Sequence, residues 1–131
     1  MAGKIVAADD EAHILHVVSM KLRKAGYEVL TAMDGEEARD LCLGEVPDLL
    51  ITDYQMPLLT GLELCKALRA HDATRDLPAI MLTARGFDLE PQEMIEAGIA
   101  AVLAKPFSPR ELLGRVAELV PAPQGAAGES A

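Results

Sequence analysis

Aromatic residues are scarce in this sequence. Two Tyr, two Phe and no Trp make up 3% of its 131 residues. The hydrophobic fraction is nevertheless 50%, so the core has to be built from Leu, Ile, Val, Met and Ala. At 14.0 kDa the chain is long enough for one domain with a sizeable core.

Long apolar runs and basic clusters are absent from the sequence as well. No apolar stretch approaches the roughly 20 residues that a membrane-spanning helix needs. The first residues lack the core of a signal peptide, because Asp9, Asp10 and Glu11 interrupt it. A formal net charge of −9 argues against direct binding to nucleic acid or to an anionic membrane surface. We therefore expect a cytoplasmic protein that contacts neither nucleic acid nor a membrane.

Residues that could form a thiol or metal site are few. Cys42 and Cys65 lie far apart in the sequence without a Cys-x-x-Cys spacing, so we expect two small buried residues on helix faces. His13 and His16 lie three residues apart on a predicted helix, but no third ligand is near them in the sequence. Solvent-facing side chains are therefore favoured over a metal site. No Gly-rich nucleotide-binding loop is present.

Apolar runs alternate with helix-like segments along the chain. Strands are predicted near residues 4–9, 27–32, 48–53, 78–83 and 101–105. Helices are predicted near residues 11–25, 35–44, 60–71, 89–97 and 109–120. This alternation implies an α/β domain with a parallel sheet and helices on both of its faces.

The composition of the segments indicates their places in the fold. The third and fourth strands are nearly all apolar, which is typical of strands covered on both sides. The second strand is more polar and suits an edge of the sheet. Residues 121–131 are small, polar and rich in Pro and Gly, which predicts a flexible tail or the start of a linker after a domain that spans residues 1–120.

Several predicted helix ends carry local signals. At three helix starts a cap residue is followed three positions later by Glu, as in the pairs Asp34 with Glu37, Thr60 with Glu63 and Ser108 with Glu111. Gly44 and Gly98 are placed to end the second and fourth helices, since glycine readily adopts the left-handed conformation found there.

Polar side chains follow four of the five apolar runs. Asp9 and Asp10 follow the first, Asp53 ends the third, Thr83 ends the fourth and Lys105 follows the fifth. Open parallel α/β sheets bind ligands at the carboxyl ends of their strands. A doubly wound fold would therefore gather these side chains at one edge of the sheet.

These residue types together suit phosphoryl transfer to an aspartate. Three carboxylates repel one another, and a hard divalent cation such as Mg²⁺ relieves that repulsion. A lysine ammonium and a threonine hydroxyl are suited to phosphoryl oxygens, and a carboxylate serves as the nucleophile. Each residue also has an ordinary explanation: Asp53 or Thr83 as a turn residue, Asp9 and Asp10 as helix caps, and Lys105 as a solvated loop lysine.

The strand-end residues belong to short motifs with a specific spacing. The motifs are Asp9-Asp10-Glu11, Asp53-x-x-Met56-Pro57-x-x-x-Gly61, Thr83-Ala84, Glu96-Ala97-Gly98 and Lys105-Pro106-Phe107. The complete set resembles the receiver domain of two-component response regulators over about residues 3–120. The resemblance implies a flavodoxin-like, doubly wound sheet of five parallel strands in the order 2-1-3-4-5.

The resemblance also implies an acceptor and a metal site. Asp53 is expected to receive a phosphoryl group from the phosphohistidine of a histidine kinase or a histidine phosphotransfer protein. Mg²⁺ is expected to be bound by Asp10, by Asp53, by the backbone carbonyl of Gln55 and, through a water molecule, by Asp9. The side chains of Gln55 and Arg85 are expected to modulate the lifetime of the phosphoryl group.

The switch implied by the resemblance involves residues on the last two strands. Thr83 is expected to be the hydroxyl that moves to the phosphoryl group, Lys105 its counter-charge, and the Lys105–Pro106 peptide bond cis. The family often has Tyr or Phe at the position of Val102, where the ring reports the state of the threonine. Without that ring, the switch uses either a backbone shift or a substitute group, for which Phe87 is a candidate.

We therefore expect a phosphorylation-dependent signalling module that catalyses only its own phosphorylation and dephosphorylation. It would bind a downstream protein through the face formed by the fourth helix, the fifth strand and the fifth helix. It acts either alone, like the single-domain regulators of chemotaxis, or as a receiver within a longer regulator with an output domain. An aspartyl-phosphate phosphatase is disfavoured, because the second Asp of that signature is replaced here by Gln55.

Overall fold

Five strands and five α-helices alternate in the computed structural model, which describes residues 3–84 and 89–121. The strands are β1 (Lys4–Ala8), β2 (Glu28–Ala32), β3 (Leu49–Asp53), β4 (Ala79–Thr83) and β5 (Ile99–Ala104). The helices are α1 (Ala12–Lys24), α2 (Gly35–Glu45), α3 (Gly61–Arg69), α4 (Pro91–Ala97) and α5 (Pro109–Leu119), with a single 3₁₀ turn at Asp72–Thr74. All ten predicted elements are present, with their ends shifted by a few residues.

The strands form one parallel sheet in the order β2-β1-β3-β4-β5. This confirms the expected doubly wound order, and it confirms the polar β2 as an edge strand. Every residue of β3 and β4 is buried, as their continuous apolar sequence predicts. The strand order reverses between β1 and β3, and ligands of such sheets bind in the crevice at that reversal.

Two aliphatic core clusters lie on opposite faces of the sheet. Ile5 and Ala7 of β1 point into the cluster formed with α1 and α5, whereas Val6 and Ala8 point into the cluster formed with α2 and α3. This alternation follows from the two-residue period of a strand. Because both faces are covered, the central strands β3 and β4 are buried, and a ligand can reach them at their ends.

Four isolated residues of the sequence lie where they were expected. Cys42 and Cys65 are free and fully buried in the α2/α3 cluster. Burial raises the pKa of each thiol to about 12, so both remain protonated at neutral pH. His13 and His16 are exposed on α1. Among the described residues, no helix is long and apolar enough to cross a membrane.

The predicted helix starts are confirmed. The side chains of Asp34, Thr60 and Ser108 each accept a hydrogen bond from the backbone N–H three residues later, at 2.8, 3.1 and 3.0 Å. Thr60 and Glu63 form a reciprocal capping box, since the Glu63 carboxylate accepts from the Thr60 N–H at 2.9 Å.

One predicted helix end is wrong. Gly98 ends α4 with a φ of 72°, as expected, but Gly44 lies inside α2 and the helix runs to Glu45. The left-handed residue there is Val46, with a φ of 44°. Val46 precedes Pro47, and the proline ring disfavours the helical conformation of the residue before it. The helix therefore ends because of Pro47.

Candidate functional site

The carboxyl ends of four strands meet at one edge of the sheet. Asp53 and Thr83 are the last residues of β3 and β4, while Asp9 and Lys105 directly follow β1 and β5. Asp9, Asp53 and Thr83 are 2%, 7% and 1% exposed. Turn residues and helix caps are normally solvated, so this burial sets the three side chains apart from their ordinary structural explanations.

Lys105 lies at the centre of a charged cluster. Its Nζ donates to Asp9 Oδ2 at 3.0 Å and to Glu11 Oε1 at 2.9 Å, and it lies 3.1 Å from Asp53 Oδ1. The side chain is 17% exposed, so it is not a solvated loop lysine. Its backbone N–H donates to the Thr83 carbonyl at 2.7 Å, which places the residue beside the end of β4. The Lys105–Pro106 peptide bond is cis.

Three carboxylates converge beside this lysine. One oxygen from each of Asp9, Asp10 and Asp53 lies within 4.8 Å of the others, with Asp9 and Asp53 buried and Asp10 exposed. A group of carboxylate oxygens with one side open to solvent fits Mg²⁺, which prefers oxygen ligands and retains several of its waters. The donor set therefore fits the cation that the sequence predicts.

The electrostatics of the cluster keep Lys105 charged and make ionisation of Asp53 costly. Burial raises the pKa of Asp53, as do the charges of Asp9 and Asp10, against the opposing effect of the Lys105 hydrogen bond. Burial alone would lower the pKa of Lys105, but its hydrogen bonds to Glu11, Asp9 and Asp53 outweigh this and raise it. The Lys105 ammonium thus stays charged, but its single positive charge does not balance the neighbouring carboxylates.

Thr83 carries a buried hydroxyl without a partner. Its Oγ1 makes no hydrogen bond to any group in the part of the chain that the structure describes. Buried hydroxyls are nearly always hydrogen-bonded, and an unpaired one costs free energy. The hydroxyl lies at the same sheet edge as Asp53 and Lys105, so it is available to a group that binds there.

Gly61, the last residue of the Asp53 motif, has a steric reason to be glycine. A Cβ at Gly61 would lie 2.4 Å from the carbonyl oxygen of Asp53. The Gly61 N–H also donates to the Tyr54 carbonyl at 2.7 Å. The start of α3 therefore packs against the backbone of Asp53, and any side chain at Gly61 would displace it.

A cavity of about 150 Å³ adjoins Asp53. It is lined by Glu11, Asp53, Tyr54, Gln55, Ala84 and Lys105. Gln55 is exposed and lines this cavity, and its predicted effect on the lifetime of a phosphoryl group stays a prediction. Val102 is half-buried and packs against the α2/α3 core cluster. Arg85 and Phe87 lie outside the described residues, so their predicted roles stay predictions.

Sequence reasoning assigned no role to one member of this site. Glu11 belongs to the acidic run after β1, but only the fold brings its carboxylate to Lys105. Its side chain is 60% exposed, in contrast to the other carboxylates bound to that lysine. The sequence hinted at Glu11 only as the third acid after β1. Nothing in the sequence distinguished it from an ordinary acidic residue at the start of a helix.

The doubly wound sheet and the acidic cluster with one lysine at its carboxyl edge define a class of α/β domains that accept phosphoryl groups on aspartate. Comparison with known proteins identifies the family within that class. The model of the response regulator receiver domain matches residues 5–117. The chain belongs to this family, the receiver domains of two-component response regulators.

Two curated relatives are transcriptional regulators. The chain is 39% identical over 117 residues to the phosphate regulon transcriptional regulatory protein PhoB of Pseudomonas aeruginosa, covering 88% of this chain and 51% of that protein. It is 40% identical over 116 residues to the alkaline phosphatase synthesis transcriptional regulatory protein PhoP of Bacillus subtilis, covering 88% and 48%. The chain thus spans about half the length of these relatives.

Two solved structures share the whole fold. The chemotaxis response regulator CheY4 of Vibrio cholerae superposes with a TM-score of 0.84 and 37% identity, covering 92% of this chain and 100% of that one. The receiver domain of a sensor histidine kinase from Pseudomonas aeruginosa gives a TM-score of 0.81 and 28% identity, covering 91% and 98%. That second structure has a magnesium ion coordinated in its active site cleft.

Proposed function

We propose that the chain is a phosphorylation-dependent signalling switch whose acceptor is Asp53. The observation that carries the proposal is the environment of this carboxylate. It is buried at the end of β3, 3.1 Å from the Lys105 ammonium and grouped with Asp9 and Asp10. A carboxylate so placed is held rigidly at the edge of a cavity, with a cation beside it to balance the charge of an incoming phosphoryl group.

The proposed reaction moves one phosphoryl group. An oxygen of the Asp53 carboxylate forms a bond to phosphorus, and the bond from phosphorus to the donor nitrogen of a phosphohistidine breaks. The imidazole of the donor keeps that electron pair and is later protonated. Lys105 neutralises part of the charge on the phosphoryl oxygens, and the unpaired Thr83 hydroxyl is free to donate to one of them.

A magnesium ion is part of this proposal. Asp10, Asp53 and the backbone carbonyl of Gln55 would bind it directly, and Asp9 would bind it through a water molecule. The convergence of the three carboxylates supports this assignment, as does the metal in the related kinase receiver. When bound, the cation would neutralise negative charge on the transferred group.

The partners of the switch are proposed from the family. A histidine kinase or a histidine phosphotransfer protein would supply the phosphoryl group, and a downstream protein would bind the α4–β5–α5 face. Val102 lies on β5 of that face, beside Met81 of β4, and it offers no ring to couple Thr83 to the face. We propose that the face responds through the backbone or through Phe87. The side chains of Gln55 and Arg85 would set the lifetime of the phosphoryl group.

The extent of the natural protein is proposed in two forms. Relatives that are about twice as long favour a receiver joined to an output domain. The alternative is a receiver that acts alone, for which the likeness to a chemotaxis response regulator is the support. In both forms residues 1–120 are the receiver domain, and residues 121–131 are a tail or the start of a linker.

Phosphorylation of Asp53 is testable by intact mass spectrometry. The protein is incubated with acetyl phosphate and Mg²⁺ and then weighed. We expect the mass to increase by one phosphoryl group, because the Asp53 carboxylate is placed to attack a small phosphodonor and Lys105 is placed to balance the charge of the phosphoryl group. Chelation of Mg²⁺ with EDTA should prevent the increase, since the carboxylate cluster would lose its cation.

The controls separate the acceptor from other carboxylates. The Asp53→Asn variant should gain no phosphoryl group, whereas Asp72→Asn, a change at a fully exposed carboxylate, should behave like the wild type. An adduct that persists in Asp53→Asn, or no adduct in the wild type with acetyl phosphate or phosphoramidate, would contradict the proposal.

A further inference from the structure

Glu11 contacts Lys105 but has no place in the proposed acceptor and metal set. We infer that Glu11 is a positioning residue that competes with the phosphoryl group for the Lys105 ammonium and thereby weakens binding of that group. This inference rests on the proposed phosphorylation of Asp53. Through this competition the exposed end of the charged cluster would set how readily the switch is occupied.

The hydrogen-bonding capacity of Lys105 is fully used. An ammonium has three N–H donors and no acceptor. Its three near neighbours are Glu11 Oε1 at 2.9 Å, Asp9 Oδ2 at 3.0 Å and Asp53 Oδ1 at 3.1 Å. A phosphoryl oxygen on Asp53 therefore reaches Lys105 only if one of these carboxylates gives up its contact.

Of the two carboxylates that do not themselves carry the phosphoryl group, Glu11 can leave at the lower cost. Its side chain is 60% exposed, whereas that of Asp9 is 2% exposed. Asp9 is also held by the Glu11 N–H, which donates to its Oδ1 at 2.9 Å. A released Asp9 would be a buried charge without its counter-charge, which is expensive, while a released Glu11 would be rehydrated.

The surroundings of Glu11 leave room for its release. Glu11, Ala84 and Lys105 line both the cavity beside Asp53 and an open apolar groove of about 510 Å³. The groove runs along α1 and the segment after β5, where it is lined by Ile14 and Phe107 among others. The Glu11–Lys105 ion pair therefore lies where the two spaces meet, and the described residues there leave Glu11 room to turn outward.

Binding of a phosphoryl mimic tests the competition. The probe is beryllium fluoride, which bonds to a carboxylate oxygen, titrated calorimetrically into the full chain in excess Mg²⁺. We expect Glu11→Gln to bind the mimic roughly three-fold more tightly than the wild type, the size of effect typical of one exposed ion pair. The neutral amide retains the shape of Glu11 but competes less for the ammonium.

A conservative variant separates direct contact from the general effect of charge. Glu11→Asp keeps the negative charge, but its side chain is one methylene shorter and loses the 2.9 Å contact. If Glu11 acts through that contact, Glu11→Asp also binds the mimic more tightly. If only Glu11→Gln gains affinity, or if neither variant does, the inference is overturned.

Two further titrations distinguish failure of the inference from failure of the proposed function. The wild type should bind the mimic only with Mg²⁺, and Asp53→Asn should not bind it. If the wild type fails to bind, or if Asp53→Asn binds equally well, the proposed function is wrong and the inference falls with it. Normal binding by the wild type with unchanged Glu11 variants overturns the inference alone.

Discussion

At the scale of single residues, the described part of the site contains more negative charge than the Lys105 ammonium balances. Lys105 faces the carboxylates of Asp9, Glu11 and Asp53, and Asp10 lies beside them. Burial and the neighbouring charges raise the pKa of Asp53, which means that its ionised form is disfavoured in the folded state. Residues that perform a function often lower stability in this way, because the functional charge is held in place by the rest of the fold.

Substitutions of Asp53 and Lys105 should therefore change stability in opposite directions. Without Mg²⁺ at pH 7, Asp53→Asn should raise the free energy of unfolding, because Lys105 keeps two acidic partners and a disfavoured charge is removed. The difference from the wild type should vanish as the pH falls below 3.8, the ordinary pKa of this carboxyl, since Asp53 is then protonated in both states. Urea unfolding at several pH values measures this.

Urea unfolding of Lys105→Met tests the opposite change, a fall in the free energy of unfolding. Removing the Lys105 ammonium takes away the counter-charge that the described residues provide to the buried carboxylates and should cost about 1–3 kcal/mol. Added Mg²⁺ should stabilise the wild type more than Asp53→Asn, because the variant lacks one carboxylate of the binding cluster. A less stable Asp53→Asn protein in metal-free buffer would contradict this account.

At the scale of elements, local signals decided most helix ends, but α2 shows how they fail. Gly44 is a usual end signal, yet the helix passes through it and Val46 adopts the left-handed conformation instead. Pro47 prevents the residue before it from continuing the helix. Where two signals compete, the one that is sterically obligatory prevails over the one that is merely permitted.

Two glycines should therefore respond oppositely to alanine. Gly44→Ala should stabilise the protein by roughly 0.5–1 kcal/mol, because the residue is helical and alanine is the better helix former. A Cβ there meets nothing within 4 Å. Gly98→Ala should destabilise it, since a Cβ would lie 2.7 Å from the Arg69 guanidinium at a φ of 72°. Thermal unfolding of both variants measures this, and a destabilised Gly44→Ala would contradict the assignment.

At the scale of the whole molecule, one hydrogen bond joins distant parts of the chain. The Tyr27 hydroxyl donates to the Val120 carbonyl at 2.6 Å across 93 residues, and both residues are buried. The start of β2 is thereby tied to the end of α5. The folded domain thus includes Val120, while the boundary at residue 120 stays a prediction.

Loss of this tie should weaken the domain, whereas loss of the following residues should not. Tyr27→Phe removes the hydroxyl and leaves a buried carbonyl unpaired, which should cost about 1–2 kcal/mol of the free energy of unfolding. Truncation after Pro121 keeps the hydrogen bond and should leave that free energy unchanged. Guanidinium unfolding of both proteins provides the comparison. A truncated protein as unstable as Tyr27→Phe would move the domain boundary beyond residue 121.

Periodicity and composition along the chain were sufficient to predict the elements and a parallel α/β sheet, whereas the strand order came from the family resemblance. The near-continuous apolar sequence of β3 and β4 indicated central strands. The more polar sequence of β2 indicated an edge strand. The strand-end motifs were sufficient to predict which side chains would gather. Both rest on local properties, namely the period of side chains along an element and the residue types at its end.

Only the tertiary structure decided how the gathered groups interact. Lys105 contacts Glu11 and Asp9, which lie 94 and 96 residues away in the sequence. The spatial distances between such side chains depend on strand order and on the register of neighbouring strands. Whether Thr83 finds a partner, and whether Asp53 lies in water or in the core, likewise depend on what other elements pack around them. The sequence thus determined the elements and the chemical groups, while packing determined the distances, the burial and therefore the electrostatics, because these arise between residues that the chain itself does not bring together.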